Sequence, residues 1–317
     1  MAETTIRWCG DKMKRILFMG TPEYARIILE GLLAFKDLNI RVVTKPDTPQ
    51  GRRMRLTPSP VAEAAKTAGL PVDKPVKLPD FRNIWTGWAP DLIIVAAYGK
   101  ILRPWLLNLP RYGVYNLHAS LLPRWRGPNP VAWAIREGDT VSGVTLMKMD
   151  EGVDTGDIVA TRRVPIGPDT NTGELTITLA HEAQGLLTKY FYLLFSDNVK
   201  RVSQNPDEAT YAGKFELADS HIQWDQPAVV IHRLIRSMIP EPGAYTMCQG
   251  QRVKVVQSTY DRGEYPVGVA ELKQNNWHVG TKDGVVIVKR IKPAGKNEMT
   301  PGDFQRGMRT VGRVMCK

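Results

Sequence analysis

Two polar side chains at the end of an apolar run are the first candidates for chemistry in this sequence. Asn116 and His118 are separated by one residue, so on a β-strand their side chains point to the same face. An amide can donate a hydrogen bond to a developing oxyanion, and an imidazole can donate when protonated or move a proton near neutral pH. These groups indicate acyl-type transfer to an amine; a histidine that only caps a strand end is the structural alternative.

A third candidate lies in an acidic loop further along the chain. Asp154 stands between Gly152 and Gly156, which permit sharp backbone turns, and its carboxylate could orient the imidazole of His118. The other acids of this loop are interpreted as solvated turn residues: Asp150, Glu151 and Asp157. The spacing of a calcium-binding EF-hand is absent from the sequence, and no second His or Cys cluster accompanies the loop, so we expect no metal.

The segment around the Asn–His pair is basic. Between Asp91 and Glu137 the sequence has no acidic residue, and it carries Lys100, Arg103, Arg111, Arg124, Arg126 and Arg136. The whole chain of 317 residues has 43 Lys and Arg against 32 Asp and Glu, a net charge of +11. This excess indicates an anionic ligand or a nucleic acid as partner, with a merely basic surface as the alternative.

A second concentration of positive charge lies in the loop from Lys45 to Leu56. It holds Lys45, Arg52, Arg53 and Arg55 within twelve residues. Such side chains on a loop beside a ligand crevice could hold a phosphate backbone. A solvated surface loop is the alternative for a charge run of this kind.

The order of apolar runs predicts an α/β domain with a mostly parallel sheet over residues 13–196. The predicted strands include Arg15–Gly20, Ile40–Thr44, Leu92–Ala97 and Val114–Leu117. Because ligands bind outside the carboxyl ends of strands in such sheets, Gly20, Tyr98 and the Asn–His pair should share one crevice. The turn after the first strand has a single glycine followed by bulky residues, which argues against a dinucleotide.

The sequence changes character after Ser196. Residues 197–217 are polar and irregular and are predicted to form a linker. Short β-runs separated by Gly, Asn and Asp fill residues 218–317, which predicts a small, largely β domain, a barrel being the expected form. Residues 1–12 are predicted to be a disordered extension, with Met13 as an alternative start.

Cysteine usage and hydropathy bear on the compartment. Cys9, Cys248 and Cys316 are far apart in the sequence and form no CxxC motif, which argues against zinc and disulfides and favours the cytoplasm. No apolar run approaches the length of a membrane span, so no membrane partner is expected. Nothing in the sequence requires more than a monomer, and a monomer is the prediction.

Several blocks of sequence together resemble the methionyl-tRNA formyltransferases. They are Gly20-Thr21-Pro22-Glu23, Ala97-Tyr98-Gly99, the run from Asn116 to Gly127, Gly143-Val144-Thr145, and Asp154-Thr155-Gly156-Asp157. The resemblance runs from about Lys14 to about Gly307. The Asn-x-His block with Ser-Leu-Leu-Pro is shared by folate-dependent formyltransferases in general. The Gly-Thr-Pro start, the basic loop and the C-terminal domain are similar to the tRNA enzymes.

The resemblance implies a Rossmann-like formyltransferase domain followed by an OB-like, tRNA-binding barrel. It implies 10-formyltetrahydrofolate as formyl donor, no metal, and initiator methionyl-tRNA as acceptor in translation initiation. The residues it implies as catalytic are Asn116, His118 and Asp154, and the folate-contacting turn is Ser120, Leu121, Leu122 and Pro123. Arg52 would reach the top of the acceptor stem, and Lys45, Arg53 and Arg55 belong to the same tRNA-binding loop.

The chain departs from the family pattern in three places. Thr48 stands where members often carry a basic residue, Arg53 replaces a common small residue, and Pro128-Asn129 replaces a small pair. The first two shift where the charge of the loop lies, and the third alters the packing after Gly127.

Two other functions fit parts of the sequence. A sugar-nucleotide formyltransferase would use the same three catalytic groups on a small amine, but such a substrate does not require an arginine-rich loop. An RNA-binding protein without catalysis would not need Asn116, His118 and Asp154 together.

Overall fold

The computed structural model describes residues 13–51, 54–196, 198–308 and 312–316. The predicted N-terminal extension, Arg52 and Arg53 lie outside the described residues, and what was predicted of them stays a prediction.

Within the described residues the chain forms β-strands and α-helices throughout its length. The strands are β1 Lys14–Gly20, β2 Leu38–Val43, β3 Thr48–Gln50, β4 Arg55–Thr57, β5 Val72–Asp73, β6 Leu92–Ala96, β7 Val114–His118, β8 Val141–Lys148, β9 Ile158–Pro165, β10 Tyr245–Cys248, β11 Gln251–Asp261, β12 Val269–Lys273, β13 Asn276–Gly280, β14 Val285–Pro293 and β15 Val314–Met315. The helices are α1 Glu23–Leu32, α2 Pro60–Thr67, α3 Arg82–Trp88, α4 Pro104–Leu107, α5 Pro130–Glu137, α6 Thr172–Tyr190, α7 Ala228–Ser237 and α8 Pro301–Gly307.

The described chain divides into two compact units. The first contains the described residues up to Pro128, together with Ser142–Val164 and Thr176–Ala212. The second contains Asn129–Val141, Pro165–Leu175 and the residues from Gly213 onward.

A seven-stranded sheet in the order β5-β2-β1-β6-β7-β8-β9 organises the first unit. The strands from β5 to β7 are parallel to their neighbours, and β8 runs antiparallel to β7. The chain leaves β1 toward β2 and later returns on its other side as β6. Ligands bind at such switch points, outside the carboxyl ends of the strands. The predicted mostly parallel α/β architecture is confirmed.

Burial explains why β6 and β7 lie in the middle of this sheet. Every residue of both strands is buried, which is typical of parallel strands whose two faces are covered. In the register of the pair, Val95 of β6 faces Asn116 of β7, and Gly20 of β1 faces Ala96. The carboxyl ends of β1, β6 and β7 are therefore neighbours, as the sequence predicted.

The basic loop after β2 has more structure than the sequence analysis expected. Its residues Thr48–Gln50 and Arg55–Thr57 pair as an antiparallel two-stranded hairpin, β3–β4. Lys74, which follows β5, forms an ion pair with Asp47 at 2.6 Å at the base of this hairpin. In strands this short, proline and arginine interrupt the alternation of apolar and polar residues from which a strand is predicted.

The second unit contains a nearly closed antiparallel barrel, which confirms the predicted β domain. Its six strands follow the order β10-β11-β14-β13-β12-β15. Cys248 of β10 forms an antiparallel bridge with Cys316, which follows β15, so these cysteines join the two end strands. Both are free and buried. Apolar side chains such as Trp277, Val253 and Phe304 fill the core of this unit.

A buried histidine on α7 ties this helix to β11. The ring nitrogen Nδ1 of His232 lies 3.0 Å from the hydroxyl of Ser258. Burial first, and then the charge of Arg236, lowers the pKa of His232 from 6.5 to about 4. The imidazole is consequently neutral in the folded protein near neutral pH.

We expect the second unit to lose stability as the pH falls from 6.5 toward about 4. Over this interval the unfolded chain takes up a proton at His232 that the folded chain does not, so protonation favours unfolding. The full effect is on the order of 3 kcal/mol. Urea unfolding of wild type and His232→Gln at about pH 7.5 and about pH 5 would measure it, and the variant should show the smaller pH dependence. His181→Gln, at an exposed position of α6, is the matched control. Equal pH dependence in wild type and His232→Gln would contradict the expectation.

Candidate active site

Asn116 and His118 are two of the last three residues of β7. This strand lies next to β6, where the chain returns at the switch point of the sheet. Both side chains are buried. Buried polar groups require hydrogen-bond partners, because transfer from water without one is unfavourable. The site is therefore defined by the groups that meet these two side chains.

Asp154, in the loop between β8 and β9, meets both of them. Its Oδ1 lies 3.5 Å from Nδ2 of Asn116. Its Oδ2 lies 3.5 Å from Nδ1 of His118. The structure thus brings together the amide, imidazole and carboxylate that the sequence singled out, at distances typical of a site that tightens when substrate binds.

The carboxylate of Asp154 is fixed by a main-chain donor. The N–H of Gly127 donates to Oδ2 at 2.8 Å. Asp154 itself adopts a left-handed backbone conformation with φ of 53°. Aspartate tolerates this region better than most residues do, and here it turns the side chain toward β7.

The second ring nitrogen of His118 is held by the main chain as well. Nε2 lies 2.8 Å from the carbonyl oxygen of Trp125. A carbonyl can only accept, so Nε2 carries a proton and Nδ1 is the nitrogen that faces Asp154. With a proton on Nδ1 as well, the imidazolium and the carboxylate of Asp154 attract each other.

A tight network holds the turn that follows His118. The hydroxyl of Thr145 on β8 donates to the carbonyl of Ser120 at 2.7 Å and accepts from the N–H of Leu122 at 3.1 Å. The hydroxyl of Ser120 donates to the carbonyl of Arg124 at 2.6 Å. Leu121 packs on Gly143, where an added Cβ would lie 2.5 Å from a Leu121 methyl carbon. This turn is therefore fixed relative to β8.

Gly127 closes the turn at a place where only glycine fits. Its φ is 116°, and a Cβ at this position would lie 2.7 Å from the carbonyl oxygen of Ala212. The close approach sets the direction of the N–H that reaches Asp154. Sequence reasoning missed the roles of Gly127, Thr145 and the Trp125 carbonyl, because main-chain contacts leave no side-chain pattern.

Gly20 and Tyr98 lie at the neighbouring strand ends. A Cβ on Gly20 would lie 2.6 Å from that of Ala25 and 2.9 Å from the carbonyl oxygen of Ala96. This glycine therefore serves close packing of β1 against α1 and β6. Burial raises the pKa of Tyr98 to about 12, and its hydroxyl has no hydrogen-bond partner among the described residues.

Two of the four basic residues predicted to bind tRNA lie within the described chain. Arg55 is exposed on β4. Lys45 reaches the loop after β6, since a Cβ on Gly99 would lie 2.9 Å from its ammonium nitrogen. Arg52 and Arg53 lie between these two and outside the described residues.

No group of three or more His, Cys, Asp or Glu side chains that could hold a metal ion occurs among the described residues. No helix of the described chain combines the length and apolar character required to cross a membrane.

Comparison with known protein families gives two matches that together cover most of the chain. Residues 14–190 match the formyl transferase family, and residues 214–309 match the formyl transferase C-terminal domain.

Curated relatives match over nearly their whole length. The methionyl-tRNA formyltransferase of Symbiobacterium thermophilum is 42% identical over 302 residues, which cover 93% of each chain. That of Geotalea uraniireducens is 38% identical over 307 residues, covering 96% of this chain and 98% of the relative.

Solved structures share the fold at low sequence identity. An N-formyltransferase from Helicobacter canadensis, in complex with folinic acid and dTDP-3-aminofucose, matches with a TM-score of 0.68 at 20% identity, covering 87% of this chain and 99% of that one. HypX from Aquifex aeolicus, in complex with tetrahydrofolic acid, matches with a TM-score of 0.66 at 19% identity, covering 93% of this chain and 47% of that one.

We expect Gly127→Ala to destabilise the first unit by about 1–3 kcal/mol, because alanine is strained at positive φ and its Cβ would collide with a main-chain oxygen. Gly185→Ala is the matched control: this glycine lies within α6 with nothing within 4 Å of the added carbon. The control should be stabilised by roughly 0.5–1 kcal/mol. Urea unfolding measures both, and equal midpoints for the two variants would contradict the role given to Gly127.

Proposed function

Because this chain belongs to the methionyl-tRNA formyltransferase family, we propose that it transfers the formyl group of 10-formyltetrahydrofolate to the α-amine of initiator methionyl-tRNA, for translation initiation. The observation that carries the proposal is the convergence of Asn116, His118 and Asp154 at the carboxyl end of β7. These three residues are the proposed catalytic groups.

The reaction determines what the site must supply. The neutral amine forms a bond to the formyl carbon, the bond from that carbon to the folate nitrogen breaks, and a proton passes from the amine to the departing nitrogen. The folate co-substrate supplies the activated formyl group. An amide, an imidazole and a carboxylate fit this chemistry, since it requires oxyanion stabilisation and proton movement.

Asn116 is the proposed oxyanion donor. Its Nδ2 bears two hydrogens, of which one is directed at Asp154 across 3.5 Å. The second remains for the oxygen of the formyl group, where negative charge develops during attack. Its buried position strengthens this interaction, because a low local dielectric increases the electrostatic attraction.

His118 and Asp154 are the proposed proton-transfer pair. Nδ1 of His118 faces Oδ2 of Asp154 at 3.5 Å, while Nε2 is held by the carbonyl of Trp125. The carbonyl fixes the ring plane, and the carboxylate stabilises the imidazolium once it forms. Because Nε2 is held by the carbonyl of Trp125, Nδ1 is the nitrogen that exchanges protons.

Ser120, Leu121, Leu122 and Pro123 are the proposed folate-contacting turn. The turn follows His118 directly, and Thr145 holds it against β8. Because the Ser120 hydroxyl is engaged with Arg124, contact with folate would use the main chain and apolar side chains of this turn. A rigid turn reduces the ordering entropy that binding must overcome.

The hairpin β3–β4 and the barrel are the proposed tRNA-binding parts. The sequence from Lys45 to Leu56, which contains the hairpin, carries Lys45, Arg52, Arg53 and Arg55. In the proposed domain order, residues 13–196 are catalytic, 197–217 connect, and 218–317 bind tRNA. We propose further that the protein acts as a cytoplasmic monomer.

Transfer to a sugar nucleotide is the less favoured alternative. The sugar-nucleotide-bound N-formyltransferase is 20% identical and supports a common fold only. The relatives named for methionyl-tRNA are 38–42% identical over more than nine-tenths of the chain. The basic hairpin also suits a polyanion better than a small amine.

We expect Asn116→Ala to lower kcat on charged initiator tRNA by about 10²–10³-fold, because it removes one oxyanion donor. Asp154→Asn should also lower kcat, since the imidazolium loses its carboxylate. Steady-state formylation with 10-formyltetrahydrofolate would measure kcat for both, and unfolding midpoints would show that each variant is folded. Near wild-type turnover in both variants would rule out the proposed site.

We expect Arg52→Ala to weaken tRNA binding and to reduce the salt dependence of binding by roughly one ion, because a phosphate contact releases a counterion. Binding of the folate co-substrate should stay unchanged. Arg163→Ala is the matched control, because Arg163 is an exposed arginine on β9, at the other edge of the sheet from β5. Filter binding at several salt concentrations measures the slope; equal slopes for Arg52→Ala and wild type would contradict the tRNA contact.

A further inference from the structure

The segment between the two family matches runs alongside the candidate active site. The matches end at residue 190 and resume at residue 214. Within this interval, residues 198–212 form what we call the strap. Its composition is polar, and most of its side chains are exposed. Several of its hydrogen bonds nevertheless go to the acidic loop, to the start of β9 and to the turn that follows His118.

The first part of the strap is bound to the acidic loop and the start of β9. Val202 and Ile158 exchange main-chain hydrogen bonds in both directions, at 2.8 and 2.9 Å. The hydroxyl of Ser203 donates to Asp157 at 2.9 Å. This end of the strap thus lies next to Asp154.

The second part of the strap is bound to the turn that follows His118. The hydroxyl of Thr210 accepts from the N–H of Trp125 at 2.9 Å. The carbonyl of Thr210 accepts from the N–H of Arg126 at 2.8 Å, and Ala212 donates to the carbonyl of Arg126 at 2.7 Å. Trp125 is the residue whose carbonyl holds His118, and it adopts a φ of 61°.

Gln204 joins both loops through one side chain. Its Nε2 donates to the carbonyls of Asp154 at 2.9 Å and Gly156 at 2.7 Å. Its Oε1 accepts from Nε and Nη2 of Arg126 at 3.0 and 2.8 Å. Both amide hydrogens and both oxygen lone pairs are used. The orientation is fixed by chemistry, because carbonyls only accept and a guanidinium only donates.

We propose that Gln204 is a positioning residue for Asp154, and that the strap is part of the catalytic site. This inference rests on the proposed function of Asp154. Gln204 holds the backbone of the acidic loop, where Asp154 has its left-handed conformation. Through Arg126 it also holds the residue before Gly127, whose N–H fixes the Asp154 carboxylate. It therefore sets the distance from that carboxylate to Asn116 and His118.

Glutamine suits this position better than its charged counterpart. A glutamate would still accept from Arg126, but it would turn an oxygen toward two carbonyl oxygens, which cannot donate. It would also add negative charge beside Asp154. Gln204→Glu therefore keeps the contact with Arg126 and removes the two contacts with the carbonyls of the acidic loop. Gln204→Met removes both contacts at similar size.

The test is steady-state formylation of charged initiator tRNA by the full chain, which gives kcat and the KM of each substrate. We expect Gln204→Met and Gln204→Glu each to lower kcat by about 10–100-fold, as misplacing a catalytic group by about 1 Å does. KM for tRNA and for 10-formyltetrahydrofolate should stay within about 2-fold, because no substrate contact is lost. Gln184→Met is the matched control and should keep kcat within about 2-fold, because the amide of Gln184 on α6 donates to the carbonyl of Ile27 on α1 at 3.1 Å instead.

A double-mutant cycle separates positioning from general support of the fold. If Gln204 acts through Asp154, adding Gln204→Met to Asp154→Asn should cost little further kcat, whereas a structural role would give the same factor in both backgrounds. Equal factors in both backgrounds, or wild-type kcat in both Gln204 variants, would overturn the proposal. Wild-type kcat in Asp154→Asn itself would instead overturn the proposed role of Asp154 in formyl transfer, on which this inference rests. If Gln204→Met does not fold, the same cycle is measured with Gln204→Glu.

Discussion

The geometry of the site depends on the surroundings of one carboxylate. Asp154 accepts from the N–H of Gly127 at 2.8 Å and faces Asn116 and His118, each across 3.5 Å. The acidic loop is distant in sequence from β7 and the turn after it, and this carboxylate is where the three meet. A half-buried carboxylate requires donors, because the loss of part of its hydration is otherwise unfavourable. The donors are a main-chain amide and a side-chain amide, and the imidazole is a third when its Nδ1 also carries a proton, so each element must keep its position.

The sheet provides those positions through register and close backbone approach. Val95 faces Asn116, and Gly20 faces Ala96, so three strand ends lie side by side. The acidic loop approaches β8 closely, since a Cβ on Gly156 would lie 1.7 Å from the carbonyl of Lys148. Glycine is required there for steric reasons, whatever chemistry the loop performs. The precision of the site thus comes from backbone packing as much as from its polar side chains.

Local patterns in the sequence predicted the strand and the loop that carry the site, because both depend on neighbouring residues. The apolar run before Asn116 predicted β7, and the glycines around Asp154 predicted a sharply turned loop. The hairpin β3–β4 was not predicted, because two three-residue strands show no alternation that can be recognised. The main-chain β-bridge between Cys248 and Cys316 was not predicted either, because the spacing of residues along the sequence does not report contacts between distant segments. The catalytic roles of the three residues still rest on the proposed function.

The polar segment after Ser196 shows why composition alone describes a connection poorly. A low content of apolar residues reports that a segment buries little surface, and such a segment is expected to act as a linker. It does not report where the main-chain hydrogen bonds go. In residues 198–212 several of them go to Ile158, Pro123 and Arg126, and the amide of Gln204 adds four side-chain contacts. A neutral side chain can do this beside Asp154 without adding charge, because an amide both donates and accepts. A polar, exposed segment can therefore be ordered by its hydrogen bonds to neighbouring loops, and the same hydrogen bonds hold those loops in place.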